Sequence, residues 1–179
     1  MRYGGREMAE SFRTVRKNTI TLAEEIPAEK YDFRPAPEVR TIGEQLAHIT
    51  VSTRWQVEVH GQRMSMIDFA TFAARLAQSA VEEEALRTKH DIVAALREDG
   101  ETFASFLAAA DEDFLSEDVN FPPPVQPATK TRFEMLLGAK EHEMHHRGQL
   151  MLVQRILGIV PHLTRQRAAF GAASAGGKP

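Results

Sequence analysis

Between Arg6 and Ile26 the apolar residues Met8, Phe12, Val15, Leu22 and Ile26 recur every three or four positions, with Thr19 filling the step between Val15 and Leu22. That stripe predicts an amphipathic helix, which Pro27 ends. The following stretch PAEKYDFRPAPEVR carries three prolines and no period, so it reads as a loop in which Tyr31 and Phe33 pack over one end of the fold. Thr41-Ile42-Gly43-Glu44 is a capping-box sequence, and it opens a second helix running through Ile42, Leu46, Ile49 and Trp55 to about Val59, before Gly61. Residues 62–87 read as an insertion: a short helix in DFATFAARLAQSA lying outside the core, then the acidic run Glu82-Glu83-Glu84.

From Thr88, with Asp91 completing a second cap, the positions Ile92, Leu96, Phe103, Phe106, Leu107 and Ala110 describe a third long helix that contains Gly100 at some cost. Four prolines in FPPPVQPATK preclude a helix there. Thr131-Arg132-Phe133-Glu134 repeats the capping pattern and opens a fourth helix reaching about Leu157, stopped by Gly158 and Pro161. Beyond it the chain turns to small residues and glycine, which bury too little to offset ordering entropy. The expected organisation is one domain over residues 1–163 and a flexible tail over 164–179. The expected fold is all-α, a four-helix bundle with a short helical insertion between helices two and three, with no strand and no internal repeat.

Composition narrows the chemistry. The chain of 179 residues has 42% hydrophobic and 26% charged residues and a formal charge of -3, spread without long blocks, which gives no footprint for nucleic acid. It has no cysteine, so disulfides, thiolate ligands and a cysteine nucleophile are excluded and any metal rests on nitrogen and oxygen. The N-terminal stretch lacks a signal-peptide core and no segment has bilayer length, so the expectation is no membrane partner and a cytoplasmic location.

The histidines concentrate the remaining signal. His142 and His146 are four apart on the fourth helix, one turn above each other, a spacing that lets both imidazoles reach one ion. His142-Glu143-Met144-His145-His146 also satisfies the H-E-x-x-H pattern of zinc proteases, but those enzymes draw a third ligand from downstream. No Asp or Glu follows Glu143, and the extended pattern fails at Gln149 and Leu152, which leaves His162 past the helix stop. Upstream, His48 shares a mostly apolar face with Ser52, Trp55 and Val59. A lone histidine there is commonly a hydrogen-bonded core residue; on a helix facing His142 and His146 it completes three neutral imidazoles with an open position.

Three stretches, Lys30 to Pro37, Thr41 to Ile49, and His142 with His146-Arg147-Gly148-Gln149, resemble the DinB/YfiT-like superfamily of four-helix metalloenzymes from about Glu7 to Pro161. The resemblance implies that His48, His142 and His146 bind a divalent metal, Zn, Ni or Fe, with His145 a neighbour, and makes Glu143 an ordinary helix-face carboxylate. It places Gln149 and Arg147 around the metal helix, Gln149 to hydrogen-bond a ligand or metal-bound water, Arg147 to anchor a substrate carboxylate or a neighbouring helix. Gly148 then permits close helix approach. Glu44, one turn before His48, either caps its helix or orients the imidazole; His60 and His90, near helix ends, are expected to be exposed. Some relatives are transferases or isomerases that use a low-molecular-weight thiol, which implies a metal-dependent thiol S-transferase acting on a small-molecule substrate. The alternatives are a metal-dependent hydrolase and a non-catalytic, stress-associated metal-binding protein. The resemblance also implies a homodimer, for which Phe69, Phe72 and Leu76 offer apolar surface.

Overall fold

The computed structural model describes residues 3–175. Helix α1 (Gly5–Glu25) buries the predicted stripe of Met8, Phe12, Val15, Thr19 and Leu22. After a single 3₁₀ turn (Ala28–Lys30), the proline-rich loop is tied down because Tyr31 donates its hydroxyl to Ala23 O at 2.8 Å and accepts Gly43 N–H at its carbonyl, also 2.8 Å. Helix α2 (Ile42–Gly61) then starts in a complete capping box, Thr41 and Glu44 each satisfying the other's backbone amide at 2.7 and 3.1 Å.

Three segments differ from the pattern-based expectation, the last of them at the C-terminal end of the described residues. The 62–87 insertion contains α3 (Phe69–Ala85), a 17-residue helix capped by Asp68 and continuing through the acidic run. It buries no residue and packs chiefly on α2, through Trp55 against Phe72 and through Arg75, which bridges Glu58 and Glu82. Within the acidic run Glu82 and Glu83 are half-buried and Glu84 is exposed; Glu82 also meets Arg54, itself bound to Asp99. After α4 (Lys89–Ala109) and the short α5 (Glu112–Ser116), the proline loop is flanked by a small antiparallel ribbon, β1 (Asp118–Asn120) with β2 (Thr129–Thr131), where no strand was expected. Prolines exclude a helix there, and the extended flanks pair instead.

Helix α6 (Arg132–Ile156) starts with Thr131 accepting Glu134 N–H and ends at Gly158, whose φ of 77° lies in the left-handed region that glycine adopts freely. The segment expected to be a loose tail forms α7 (His162–Ala175), fastened by His162 to Asn18, Arg165 to Glu25 and Arg155 to Thr164. Residues 176–179 of that tail lie outside the described residues. No helix among the described residues is long and apolar enough to cross a membrane.

The four long helices share one interior: α1 lies against α4 and α6, and α2 against α4 and α6. The two larger apolar clusters lie one around Leu22, Ile42, Leu46, Leu96 and Leu150, the other around Met8, Phe12, Phe103 and Leu136, with a smaller third around Val59, Ile67 and Val119. Between the two larger clusters on α1 and α6 lies a charged layer. Arg16 and Glu143, both almost fully buried, pair at 2.9 Å; Thr19 donates to Glu143 at 2.6 Å, Arg16 donates to Leu96 O, and Arg147 donates to Val15 O. Gly100 on α4 is where Arg16 passes, since a Cβ there would stand 2.7 Å from Arg16 Cγ.

Candidate metal centre

His48, midway along α2, meets His142 and His146 on α6. Their Nε2 atoms converge: His48 to His142 is 3.2 Å and His142 to His146 is 3.0 Å. One ligand atom from each of the three lies within 4.8 Å of the other two. The rotation of α6 that brings this about is set by the next residues in the chain. Glu143 and Arg147, one position after each histidine, face α1 and are held in the charged layer, which turns 142 and 146 towards α2.

The outer nitrogens decide which lone pairs point inward. His48 Nδ1 stands 2.8 Å from Glu83 Oε1, and His146 Nδ1 2.9 Å from Gln149 Oε1. A carboxylate and an amide oxygen only accept, so both Nδ1 atoms carry the proton and both Nε2 atoms turn a lone pair to the centre. Gln149 Nε2 is 3.1 Å from His145 Nε2, which holds the amide in that orientation. His142 Nδ1 is buried without a partner. Burial, then the neighbouring His146 and His48, pushes the His142 pKa down to about 4; burial also lowers that of His146, with Gln149 opposing. His142 and His146 are therefore neutral near pH 7, the form that binds metal.

This donor set fits a divalent ion. Imidazole nitrogens about 2.1 Å from a metal are separated by roughly 3.0 to 3.4 Å for right-angle to tetrahedral arrangements, and the observed spacings match that span. Without an ion, lone pairs on neighbouring Nε2 atoms face one another with a single proton at most from His142 to share. The Nδ1 contacts have the form of the carboxylate–histidine–metal relay, in which an oxygen fixes the tautomer and orientation of a ligand.

Other candidates lie elsewhere. Glu44 closes the α2 cap and pairs with Arg34 at 3.0 Å, so it does not orient His48; that position is taken by Glu83, from the acidic run of α3. Glu143 is not a surface carboxylate but is fully buried against Arg16, and Arg147 contacts α1. Gly148 is exposed and a Cβ there would meet nothing within 4 Å, so no close helix approach depends on it. His60 is fully buried, with Nδ1 accepting from Arg132 at 3.1 Å, because Arg132 is itself drawn inside by Glu117 at 2.8 Å; His90 is exposed. His162 is buried beside Asn18 on α1 and stands outside the cluster.

A family model described as the DinB superfamily matches residues 11–150, a span that includes all three histidines. No curated protein matches the chain. Among solved structures, the crystal structure of a DinB-like protein, YjoA, from Bacillus subtilis aligns over 85% of this chain and 92% of that one, at 22% identity and a TM-score of 0.64, a likeness of fold.

Proposed function

The chain belongs to the DinB superfamily, and on that premise we propose that it is a metal-dependent enzyme in which His48, His142 and His146 hold one divalent ion, Zn, Ni or Fe, within a four-helix bundle. The reaction proposed is thiol S-transfer, from a low-molecular-weight thiol to a small-molecule electrophile. The observation that carries the metal reading is the convergence of three Nε2 atoms whose outer nitrogens, in His48 and His146, are held by acceptor oxygens. The thiol reading rests on the family resemblance.

A bound divalent ion lowers the pKa of a thiol or water that reaches it, and so supplies a nucleophile at neutral pH. The protein's part is orientation. Glu83 and Gln149 keep two imidazoles as Nδ1–H tautomers, and the Arg16–Glu143 pair fixes the turn of α6 from which His142 and His146 project. Structural sites are closed by four protein ligands and catalytic ones keep a position open. The cluster among the described residues has three members, which favours catalysis over a purely structural ion. A hydrolase would need a base beside the centre; Glu83 is engaged by His48 and Glu143 by Arg16, which favours the transferase. We further propose a homodimer that covers the exposed Phe69, Phe72 and Leu76 of α3; light scattering that gives a monomer at micromolar concentration removes it.

Elemental analysis of the purified protein beside His48→Ala, His142→Ala and His145→Ala tests the assignment. One ion per chain, lost in the first two variants and kept in the third, is expected; an ion retained in His48→Ala overturns it. Turnover that follows reconstitution with metal, with a thiol and an alkylating electrophile as substrates, tests the reaction.

A further inference from the structure

Beside the histidines lies a cavity of about 710 Å³ between the 35–42 segment and α6. Its lining is mainly apolar, with Val39, Ile42, Leu150, Val153 and Ile156, and it is joined to the cluster by His146 and Gln149. The charged residues in the lining are Glu38 and Arg40, both exposed and neither ion-paired among the described residues. The neighbouring cation Arg34 is bound by Glu44 and by the Val39 carbonyl. Backbone donors at the start of α2 are also taken: Ile42 N–H by Phe33 O, Gly43 N–H by Tyr31 O and Glu44 N–H by Thr41 Oγ1. The helix start offers an anion no amide, which leaves the Arg40 guanidinium.

A second donor lies in the same lining. Gln45 Nε2 is buried and has no partner, an arrangement that calls for an oxygen from outside the chain. Arg40 shares this lining with His146 and Gln149, which puts it on the cavity that adjoins the centre. A cation with no ion pair among the described residues, a buried donor without a partner, an apolar lining and a reacting centre at one side describe a site for a molecule with an anionic end and an apolar body.

We propose that this cavity is the substrate site and takes a small amphipathic carboxylate, which Arg40 recognises with Gln45 as second donor while the apolar lining holds an aliphatic or aromatic body beside the histidines. The inference rests on the reading of the cluster as a reacting centre. Arg40 is thus a specificity-determining residue, and Glu38 is the group in the lining that would favour the opposite charge.

The test is calorimetric titration of octanoate, octanol and octylamine into metal-loaded and chelator-stripped protein, with metal content measured on each sample. Octanoate is expected to bind both forms, with octanol and octylamine weaker by about tenfold or more. Arg40→Gln should lower octanoate affinity by roughly tenfold and leave octanol unchanged, as expected for a lost charge-assisted bond. Arg87→Gln, an exposed arginine between α3 and α4, should bind octanoate as the parent does. The proposal is overturned if octanoate fails to bind, if Arg40→Gln binds it undiminished, or if octylamine binds preferentially through Glu38. It is equally overturned if octanoate binds the metal-loaded form alone, since the carboxylate would then be a metal ligand. A protein that takes up no metal overturns the catalytic reading, and the stripped-protein titration still decides this one.

Discussion

Glu83 Oε1 lies 2.8 Å from His48 Nδ1, so a carboxylate on a helix that buries none of its own residues sets the tautomer of an imidazole in the histidine cluster. The contact spans 35 positions of sequence, and α3 makes it from the middle of the run Glu82-Glu83-Glu84. The same run ties α3 to α2 through Glu82 and Arg54.

Removing that carboxylate should weaken metal binding without unfolding the protein. Glu83→Ala is expected to lower metal affinity by about 10- to 100-fold, with Glu83→Gln, which keeps an acceptor, losing less. Competition against a chromogenic chelator measures it; equal affinity in all three proteins would mean that His48 needs no orienting partner.

Glu143 should behave as a stability residue. Glu143→Ala leaves Arg16 charged, buried and unpaired, which costs about 3 to 5 kcal/mol, and a denaturant titration should show that loss. Replacing both partners by Leu and Met should recover most of it. In the doubly substituted protein metal affinity is expected to fall although stability returns, because packing alone then sets the angle of α6.

Gly100→Ala should destabilise although it replaces a poor helix former. The new Cβ would stand 2.7 Å from Arg16 Cγ and 3.2 Å from Cδ, in a side chain locked by Glu143 and Leu96 O. Overpacking of that kind costs about 1 to 3 kcal/mol, against about 1 gained in helix propensity. A melting temperature above the parent's would show that Arg16 has room to yield.

Acid should destabilise the metal-free protein before its carboxylates titrate. Burial, and for His60 also the Arg132 charge, holds the pKa of His60 and of His142 at about 4, below the ordinary 6.5. The unfolded chain then binds more protons than the folded one between those values, so stability is full above pH 6.5 and falls as pH drops towards 4. Each group contributes up to about 1.4 kcal/mol per pH unit in that window. Melts of stripped protein at pH 7.5, 6 and 5 should show the decline, and His60→Gln should flatten it. A stripped protein equally stable at pH 7.5 and 5 would mean that both imidazoles take up protons in place.

The stripe from Met8 to Leu22 was legible because helical period and burial coincide on α1, and the cap at Thr41 because it is local chemistry. The histidine cluster was legible from one helical turn plus a family pattern. What escaped depends on distant partners. Burial of His60 requires Arg132, 72 positions away, and the role of Glu83 requires α3 to dock beside His48. Glu143 was misjudged for a different reason: α6 lies between α1 and α2, so two of its faces are inside, and a single apolar stripe is a poor guide to a helix occluded on both sides.

That double occlusion makes α6 intolerant of slippage. Histidines at 142 and 146 alternate with the charged pair at 143 and 147, so a one-residue insertion ahead of His142 would swing the helix by about 100°. The ion pair would then leave its socket against α1 as the imidazoles left α2. The Arg16–Glu143 contact therefore works as a detent, a notch that indexes the helix to one angular setting, and the positions most directly responsible for aiming the histidines are ones that never touch them.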